Sequence, residues 1–435
     1  MDKFEKIIGY EAVKQELKKI CDVLVNENEY KKLGVSTPRG LLLYGKPGVG
    51  KTLMANAVVA SSGRKTFLCR KDKPAGDFIK AIKKTFTEAK AAAPSIIFLD
   101  DMDKFANADE RYPDAEEYVT VQSCIDDIKN KDIFVLATAN SIRCLPDSLL
   151  RAGRFDRVIK VNNPQGKDAE QIIKYYISKK KFVGDIDISL ITRIMDGRSC
   201  AELETIINEA GIYAGFDRAD EITMNNFMKA CLHSVYELPA EVLDVNGLGA
   251  DLSDTDSDMA KIIYHEAGHA TVAEVLNPGS VTLASVYSRK GQKGGFTSCN
   301  RRNIAEIYKN NSADICEALA GMAAIEQKYG ISDIGASNDL EQAFELVREN
   351  VTDRCMCGFH LYSRGYSDSE KLQTNQEQAI ASEVERIYRK TKEILAKNSG
   401  LFERIAEELA KKGIITLNDI SRIKQNCDIV PVSAA

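Results

Sequence analysis

The segment Gly45-Lys46-Pro47-Gly48-Val49-Gly50-Lys51-Thr52 constrains the fold of this chain more than any other stretch. It fits the pattern G-x-x-x-x-G-K-[ST], directly after a predicted strand and directly before a predicted helix. In such a loop the backbone N–H groups wrap a phosphate, Lys51 neutralises its charge and Thr52 holds Mg²⁺. The alternative is a plain glycine-rich turn. The strand–loop–helix setting favours a nucleotide-binding module with a parallel sheet.

The pattern around this loop supports an α/β fold. Apolar runs at Gly40–Tyr44, Ser95–Leu99 and residues 133–137 are typical of buried parallel strands, and amphipathic helical stretches separate them. From about Asp168 the pattern is helical up to about Tyr236. We therefore predict a large α/β subdomain over residues 1–163 and a helical lid over residues 164–240.

Polar residues follow two of these strands. Asp100 comes at the tip of a strand beside the phosphate loop, where an aspartate is expected to bind Mg²⁺. Asp101 is expected to polarise the attacking water, and Asn140 to orient it. Arg151 and Arg154 lie on a glycine turn, and we expect them to reach the γ-phosphate of a neighbouring subunit, the alternative being surface charges.

The second half begins after a break in the pattern. Residues 248–258 are rich in Asp and Ser and have little to bury, which is typical of a linker. A helix apolar on nearly every side follows from about Met259 and stops at Asn277-Pro278-Gly279. The remainder is mostly helical, with one β-like interruption around residues 281–298. The predicted segments are a linker at 241–258, a domain at 259–428 and a tail at 429–435.

His265-Glu266-Ala267-Gly268-His269 predicts a metal site on that helix. Two histidines four residues apart project from the same helix face, so both imidazoles can reach one ion. Glu266 lies beside them, where a carboxylate can take a proton from water at the metal. The pattern favours zinc with a general base over a purely structural pair of histidines.

Composition excludes several classes of protein. A net charge of −5 over 435 residues argues against a nucleic-acid binder. The eleven cysteines show no paired C-x-x-C spacing, which suits a reducing compartment and predicts a cytoplasmic protein. The chain contains no stretch of eighteen apolar residues, so the sequence predicts no membrane segment within it.

Taken in order, these motifs resemble those of FtsH-type AAA+ zinc metalloproteases over nearly the whole chain. The resemblance includes Leu149-Leu150-Arg151-Ala152-Gly153-Arg154-Phe155-Asp156-Arg157, residues 197–203 and residues 335–339. It implies a P-loop AAA+ module with a parallel sheet and a helical lid, followed by a mostly α-helical zinc metallopeptidase domain. It also implies a homohexameric ring that uses ATP to pull protein substrates into a chamber of peptidase sites.

The resemblance also assigns site residues. It implies that His265, His269 and Asp339 bind zinc and that Glu266 is the base, with Glu326 as the alternative third ligand. Val275 stands where a metzincin would have a third histidine. A peptide is expected to dock as an added edge strand along residues 294–298, although a simple hairpin is as compatible with the sequence. The nucleotide contacts implied are Ile8, Gly9, Pro47, Gly48, Val49, Gly50, Lys51, Thr52, Leu53 and Asp100.

Three departures from the family pattern stand out. The usual N-terminal membrane helices are missing, which favours a soluble relative over a truncated, membrane-anchored protein. Asp101 stands where the family has glutamate, so we expect slower ATP turnover. Pro74 takes the place of the aromatic pore residue, unless a shifted register brings Phe78 there.

The leading hypothesis is an ATP-dependent zinc endopeptidase that translocates and degrades proteins. One alternative is an AAA+ unfoldase or remodelling protein with a silent zinc site. Another is a zinc peptidase that cleaves unfolded polypeptides with little need for ATP.

Overall fold

The computed structural model describes residues 2–72, 74–106, 115–243, 248, 250–254, 256–288, 294–300, 308–332, 334–363 and 369–434. The chain divides into two compact units. The first contains residues 1–183 and 195–211, and the second contains residues 184–194 and 212–435. Within the described ranges, no helix is both long and apolar enough to cross a membrane.

The first unit is built on a sheet covered by helices. Its strands are β1 (Gly40–Tyr44), β2 (Lys65–Cys69), β3 (Ser95–Leu99), β4 (Ile133–Ala139) and β5 (Arg157–Lys160). Its helices are α1 (Glu11–Val25), α2 (Glu27–Lys32), α3 (Lys51–Ser62), α4 (Ala75–Ala91), α5 (Glu116–Asp127) and α6 (Gly166–Ser178). Helix α7 (Ile188–Ile194) belongs to the second unit, and α8 (Cys200–Phe216) begins in the first unit and ends in the second.

The sheet of the first unit is parallel, in the order β2-β3-β4-β1-β5. Strands β3 and β4 are buried along their whole length, which explains why they appear in the sequence as uninterrupted apolar runs. The carboxyl ends of parallel strands meet at one edge of the sheet. The phosphate loop follows β1, the acidic pair follows β3 and Asn140 follows β4, so all three lie at that edge.

The second unit is mostly helical. Its further helices are α9 (Met224–Tyr236), α10 (Asp258–Leu276), α11 (Tyr308–Ala318), α12 (Ala320–Tyr329), α13 (Ser337–Thr352), α14 (Glu370–Lys397), α15 (Ser399–Lys412) and α16 (Leu417–Lys424). Its strands are β6 (Val281–Ser285), β7 (Phe296–Cys299) and β8 (Ile414–Thr416), in an antiparallel sheet of order β7-β6-β8. Strand β7 therefore lies at an edge of the described sheet.

The predicted fold class is confirmed: a parallel α/β module precedes a mostly helical domain. The strands β2, β5 and β8 were not predicted. Strand β8 has only three residues, and β2 and β5 carry exposed positions that hide a buried-strand pattern.

Helix α10 is the centre of the second unit. Ser257 caps its first turn, accepting a hydrogen bond from the backbone N–H of Ala260. The helix is buried along most of its length and packs closely on α12. A Cβ on Gly268 would lie only 2.5 Å from Cβ of Ala324 and 2.7 Å from the carbonyl oxygen of Ala320. Glycine at this position therefore lets the two helices approach.

A buried carboxylate fixes the turn from α10 into β6. Glu274 is 1% exposed, and its oxygens accept hydrogen bonds from the backbone N–H groups of Gly279 (2.9 Å) and Val281 (3.0 Å). Lys424 of α16 pairs with the same carboxylate at 2.6 Å. Because each oxygen has a partner, burial of this charge is compensated, and β6 is held in register behind the histidine-bearing helix.

Candidate metal centre and nucleotide site

Three side chains converge on one point in the second unit. Nε2 of His265 lies 3.0 Å from Nε2 of His269 and 3.1 Å from Oδ2 of Asp339, and the distance from His269 to the same oxygen is 3.3 Å. Among the described residues, this is the one group of three or more His, Cys, Asp or Glu side chains close enough to hold a metal ion. Two imidazoles and one carboxylate are a donor set that suits zinc and leaves a position open.

Surrounding groups orient both imidazoles. Nδ1 of His269 lies 2.7 Å from the backbone carbonyl oxygen of Glu317, so Nδ1 carries the proton and Nε2 faces the centre. The ring of His265 lies directly over Gly321 of α12. A Cβ there would lie 2.6 Å from Nδ1 of that ring and closer still to two other ring atoms. Only glycine leaves room for this orientation of His265.

The charge of Asp339 also suits a metal ligand. Burial by itself would raise the pKa of this carboxyl, but hydrogen bonds and charge interactions with His265 and His269 hold it well below its usual range. The carboxylate is therefore ionised, as a zinc-binding oxygen must be.

Glu266 lies beside the ligands but points to a different partner. It is 3% exposed, and its Oε2 accepts a hydrogen bond of 2.8 Å from the hydroxyl of Thr297 on β7. Burial raises the pKa of Glu266, while the two histidines and Thr297 act in the opposite direction. A cavity of about 1530 Å³ opens onto the three ligands, Glu266 and the first residues of β7.

The alternative ligand Glu326 lies elsewhere. It accepts a hydrogen bond from the Tyr388 hydroxyl and pairs with Lys392 at 3.2 Å, both on α14. The structure thus brings Asp339, and not Glu326, to the two histidines. The sequence alone leaves both open, because the choice depends on how α12 and α13 pack.

At the sheet edge of the first unit, the phosphate loop is organised around Lys51. Its ammonium group donates to the carbonyl oxygens of Gly45 (2.8 Å) and Lys46 (3.0 Å) and to Oδ1 of Asn140 (2.9 Å). The hydroxyl of Thr52 donates to Oδ1 of Asp100 at 3.3 Å. Four of the predicted nucleotide-site residues therefore meet at the carboxyl ends of β1, β3 and β4.

Basic side chains hold both members of the acidic pair. Asp100 is 1% exposed, accepts a hydrogen bond from the Thr138 hydroxyl (2.7 Å) and contacts the guanidinium of Arg70. Burial alone would raise the pKa of Asp100, but these bonds lower it below its usual value. Asp101 adopts a left-handed backbone conformation, and its carboxylate pairs with Lys104 at 2.7 Å.

Sequence reasoning missed Asp103, which fixes the side chain of Asn140. Asp103 accepts hydrogen bonds from the backbone N–H of Asn140 (2.9 Å) and from its Nδ2 (3.0 Å). The amide is thereby oriented, with Oδ1 towards Lys51 and Nδ2 towards Asp103. The one hint in the sequence is a third acidic residue close after the strand end, which is too weak to assign a role.

The other predicted nucleotide contacts occupy different environments. Pro47 and Gly48 line a cavity of about 660 Å³ together with residues 196–199, 201 and 202. Val49 is buried and Leu53 is 46% exposed on α3. Ile8 and Gly9 precede Tyr10, whose backbone N–H donates to Asp168 at the start of α6 (2.8 Å).

The two arginines of the glycine turn, Arg151 and Arg154, differ in exposure and in their hydrogen bonds. Arg154 donates to both oxygens of Asp126 (3.2 and 2.9 Å) and to the carbonyl oxygen of Ser148. Arg151 is exposed. The side chain of Arg154 is thus engaged within this chain, whereas that of Arg151 faces solvent.

The aromatic alternative for the pore loop is buried. Phe78 is fully buried, and its ring packs edge-on against Phe105 with 4.8 Å between centroids. Pro74 is exposed and precedes α4. Phe78 is therefore a core residue, and the suggestion that it grips substrate is not supported.

Comparison with protein families finds two matching regions, and each contains one of the two candidate sites. Residues 41–163 match the model described as "ATPase family associated with various cellular activities (AAA)", and residues 254–423 match "Peptidase family M41". The chain therefore joins an AAA ATPase module to a family M41 peptidase domain. The two matches, in this order, confirm the predicted resemblance to FtsH-type metalloproteases, and they imply ATP with Mg²⁺ and Zn²⁺ as cofactors.

Several curated relatives match nearly the whole of this chain. The chain is 32% identical to the ATP-dependent zinc metalloprotease FtsH of Mycoplasma genitalium, over 99% of this chain and 64% of that protein. Identity to the protein of the same name from Mycoplasma pneumoniae is 31%, over 99% of this chain and 63% of the relative. For Thermus thermophilus FtsH the identity is 29%, with 97% and 70% covered. The chain thus spans a little less than two thirds of the length of the two mycoplasma relatives.

We predict that Gly321→Ala weakens zinc binding by about tenfold or more, because the new methyl group displaces the ring of His265. Zinc content after dialysis against a weak chelator measures the effect. Gly400→Ala is the matched control, since a Cβ at Gly400 on α15 meets nothing within 4 Å. Equal zinc retention in both variants would show that the ring tolerates the methyl group.

Proposed function

We propose that this protein is an ATP-dependent zinc endopeptidase that translocates and degrades protein substrates. The observation that carries the proposal is the convergence of His265, His269 and Asp339 beside the buried Glu266, in a chain that also contains an organised phosphate loop. A silent metal site would not need an ionisable carboxylate held next to its ligands. The remodelling alternative is therefore less well supported.

The residues of the metal centre divide the work of peptide hydrolysis. His265, His269 and Asp339 would hold zinc, which acts as a Lewis acid on the peptide carbonyl. Glu266 accepts a proton from the attacking water and delivers it to the departing nitrogen. The enclosed position of Glu266 limits competition from bulk solvent for that proton.

Strand β7 is the proposed docking site for the substrate. It is an edge strand of the described sheet, and residues 294–297 line the cavity that contains the ligands. An extended peptide pairing with this edge would be held mainly by backbone hydrogen bonds, so many sequences of unfolded polypeptide could bind.

The first unit supplies the proposed ATPase. Lys51 would neutralise the phosphates, Thr52 and Asp100 would hold Mg²⁺, and Asn140 would orient the attacking water that Asp101 polarises. We further propose a homohexamer in which Arg151, with Arg154 in a supporting position, completes the nucleotide site of the neighbouring subunit. Exposure of Arg151 supports this arrangement.

The predicted domain boundaries and the predicted location in the cell also remain proposals. The segments 1–163, 164–240, 241–258, 259–428 and 429–435 are proposed as the functional divisions of the chain. A cytoplasmic location is supported by the eleven cysteines, all of which are free thiols.

We predict that the wild-type protein degrades an unfolded protein such as casein, and that both a zinc chelator and Glu266→Gln abolish this activity. Glutamine keeps the shape of Glu266 but cannot accept the proton, so a loss of about 100-fold or more is expected. Release of acid-soluble peptide measures the rate. Glu407→Gln, at an exposed position of α15, is the control.

The same assay decides between the alternatives. Degradation that requires ATP supports the proposal, whereas equal rates with and without ATP would favour a peptidase that works independently of its motor. Proteolysis that survives Glu266→Gln would remove the peptidase assignment altogether.

We predict that Asp101→Glu raises the rate of ATP hydrolysis several-fold. One added methylene extends the reach of the carboxylate by about 1.5 Å, which would let it approach the attacking water more closely. Release of phosphate under saturating ATP is the measurement, and Asp127→Glu at an exposed position of α5 is the control. A variant no faster than wild type would show that the shorter side chain does not limit turnover.

A further inference from the structure

Thr297 makes two contacts with the residue proposed as general base. Its hydroxyl oxygen lies 2.8 Å from Oε2 of Glu266 and 3.3 Å from the backbone carbonyl oxygen of the same residue. A hydroxyl has one hydrogen to donate, and the shorter distance assigns it to the carboxylate. A hydrogen bond to an ionised oxygen is stronger than one between neutral groups, so it selects one orientation of the carboxylate.

The α10 backbone alone does not determine where the carboxylate of Glu266 lies. The helix fixes the Cα of Glu266, but three side-chain torsions remain between Cα and the oxygens. Gly295 packs against the middle of this side chain, since a Cβ there would lie 2.6 Å from Cγ of Glu266. Thr297 then holds the end of it. Two residues from one segment therefore define both the path and the endpoint of the side chain.

The sheet fixes the position of Thr297 itself. Thr297 pairs with Ala284 and Phe296 with Ser285 on the fully buried strand β6. Side chains alternate along a strand, and both neighbours of Thr297 contact Tyr236: the ring of Phe296 at 5.2 Å between centroids, and the hydroxyl of Ser298 at 3.3 Å. Thr297 must therefore face the opposite way, towards α10.

We propose that Thr297 is a positioning residue that holds the carboxylate of Glu266 in the orientation needed to take a proton. This inference rests on the proposed peptidase function. It gives β7 two tasks, because the strand proposed to receive the peptide also holds the base that serves its cleavage. A side chain that acts through Glu266 should affect the rate of the chemical step. It should not affect zinc binding by the metal ligands or the backbone pairing of the peptide.

The test compares two substitutions that differ in the hydroxyl. Thr297→Val keeps the branched shape and removes the hydrogen bond, whereas Thr297→Ser keeps the hydroxyl and removes a methyl group. We expect the valine variant to lose about 10- to 100-fold in kcat, since displacement of a catalytic group by about 1 Å costs this much. In the valine variant, KM for an unfolded peptide should stay within about threefold of wild type, and the zinc content should be unchanged. The serine variant should recover most of kcat.

Thr271→Val is the matched control. It removes a buried hydroxyl from α10 by the same substitution, but that hydroxyl donates to the carbonyl oxygen of Ala267 and not to Glu266. Its kcat should stay within about twofold of wild type, and the melting temperatures of all variants show whether each is folded.

Each outcome bears on the proposal. A low kcat for valine with rescue by serine supports it. Valine equal to wild type, serine as low as valine, or loss of zinc in the valine variant overturns it. Glu266→Gln in the same series separates the role of Thr297 from the proposed function. If wild type cleaves no faster than Glu266→Gln, the peptidase assignment fails. If wild type is much faster than Glu266→Gln but the valine variant is unaffected, only the role of Thr297 is excluded.

Discussion

The close approach of α10 to α12 is the constraint on which the metal centre depends. Gly268 lets the helix backbones meet, and Gly321 gives the ring of His265 a surface to lie on. Since both positions are packed without space for a methyl group, the ring has little freedom to turn away from Asp339. The spacing of two histidines on a helix brings them to one face, but the neighbouring helix determines where on that face their nitrogens point.

Features confined to one stretch of chain could be predicted from the sequence. The phosphate loop and the histidine pair each carry their geometry in residue spacing, because a strand–loop–helix turn and an i, i+4 pair are local structures. The apolar character of α10 likewise predicted its burial. These segments do not depend on distant contacts to acquire their shape, so their structure can be predicted from the sequence pattern alone.

Contacts between distant segments could not be predicted in the same way. Asp339 is 74 residues from His265, Thr297 is 31 from Glu266, and the carbonyl of Glu317 is 48 from His269. Their partners follow from the packing of α11, α12, α13 and β7 around α10, which no local pattern encodes. Asp339 could be named only by resemblance, and Thr297, Gly321 and Asp103 gave no local signal strong enough to assign a role.

The two sites differ in how their carboxylates are compensated. At the metal centre, Asp339 faces two imidazoles that can lend their lone pairs to an ion along with it. At the nucleotide site, the acidic residues face permanent cations: Arg70 contacts Asp100, and Lys104 contacts Asp101. An ion that binds Oδ2 of Asp100 must displace a guanidinium, and the carboxylate of Asp101 must separate from the ammonium of Lys104 before it can meet the attacking water. The same chain thus presents a preorganised metal centre and a nucleotide site whose acidic residues must first exchange partners.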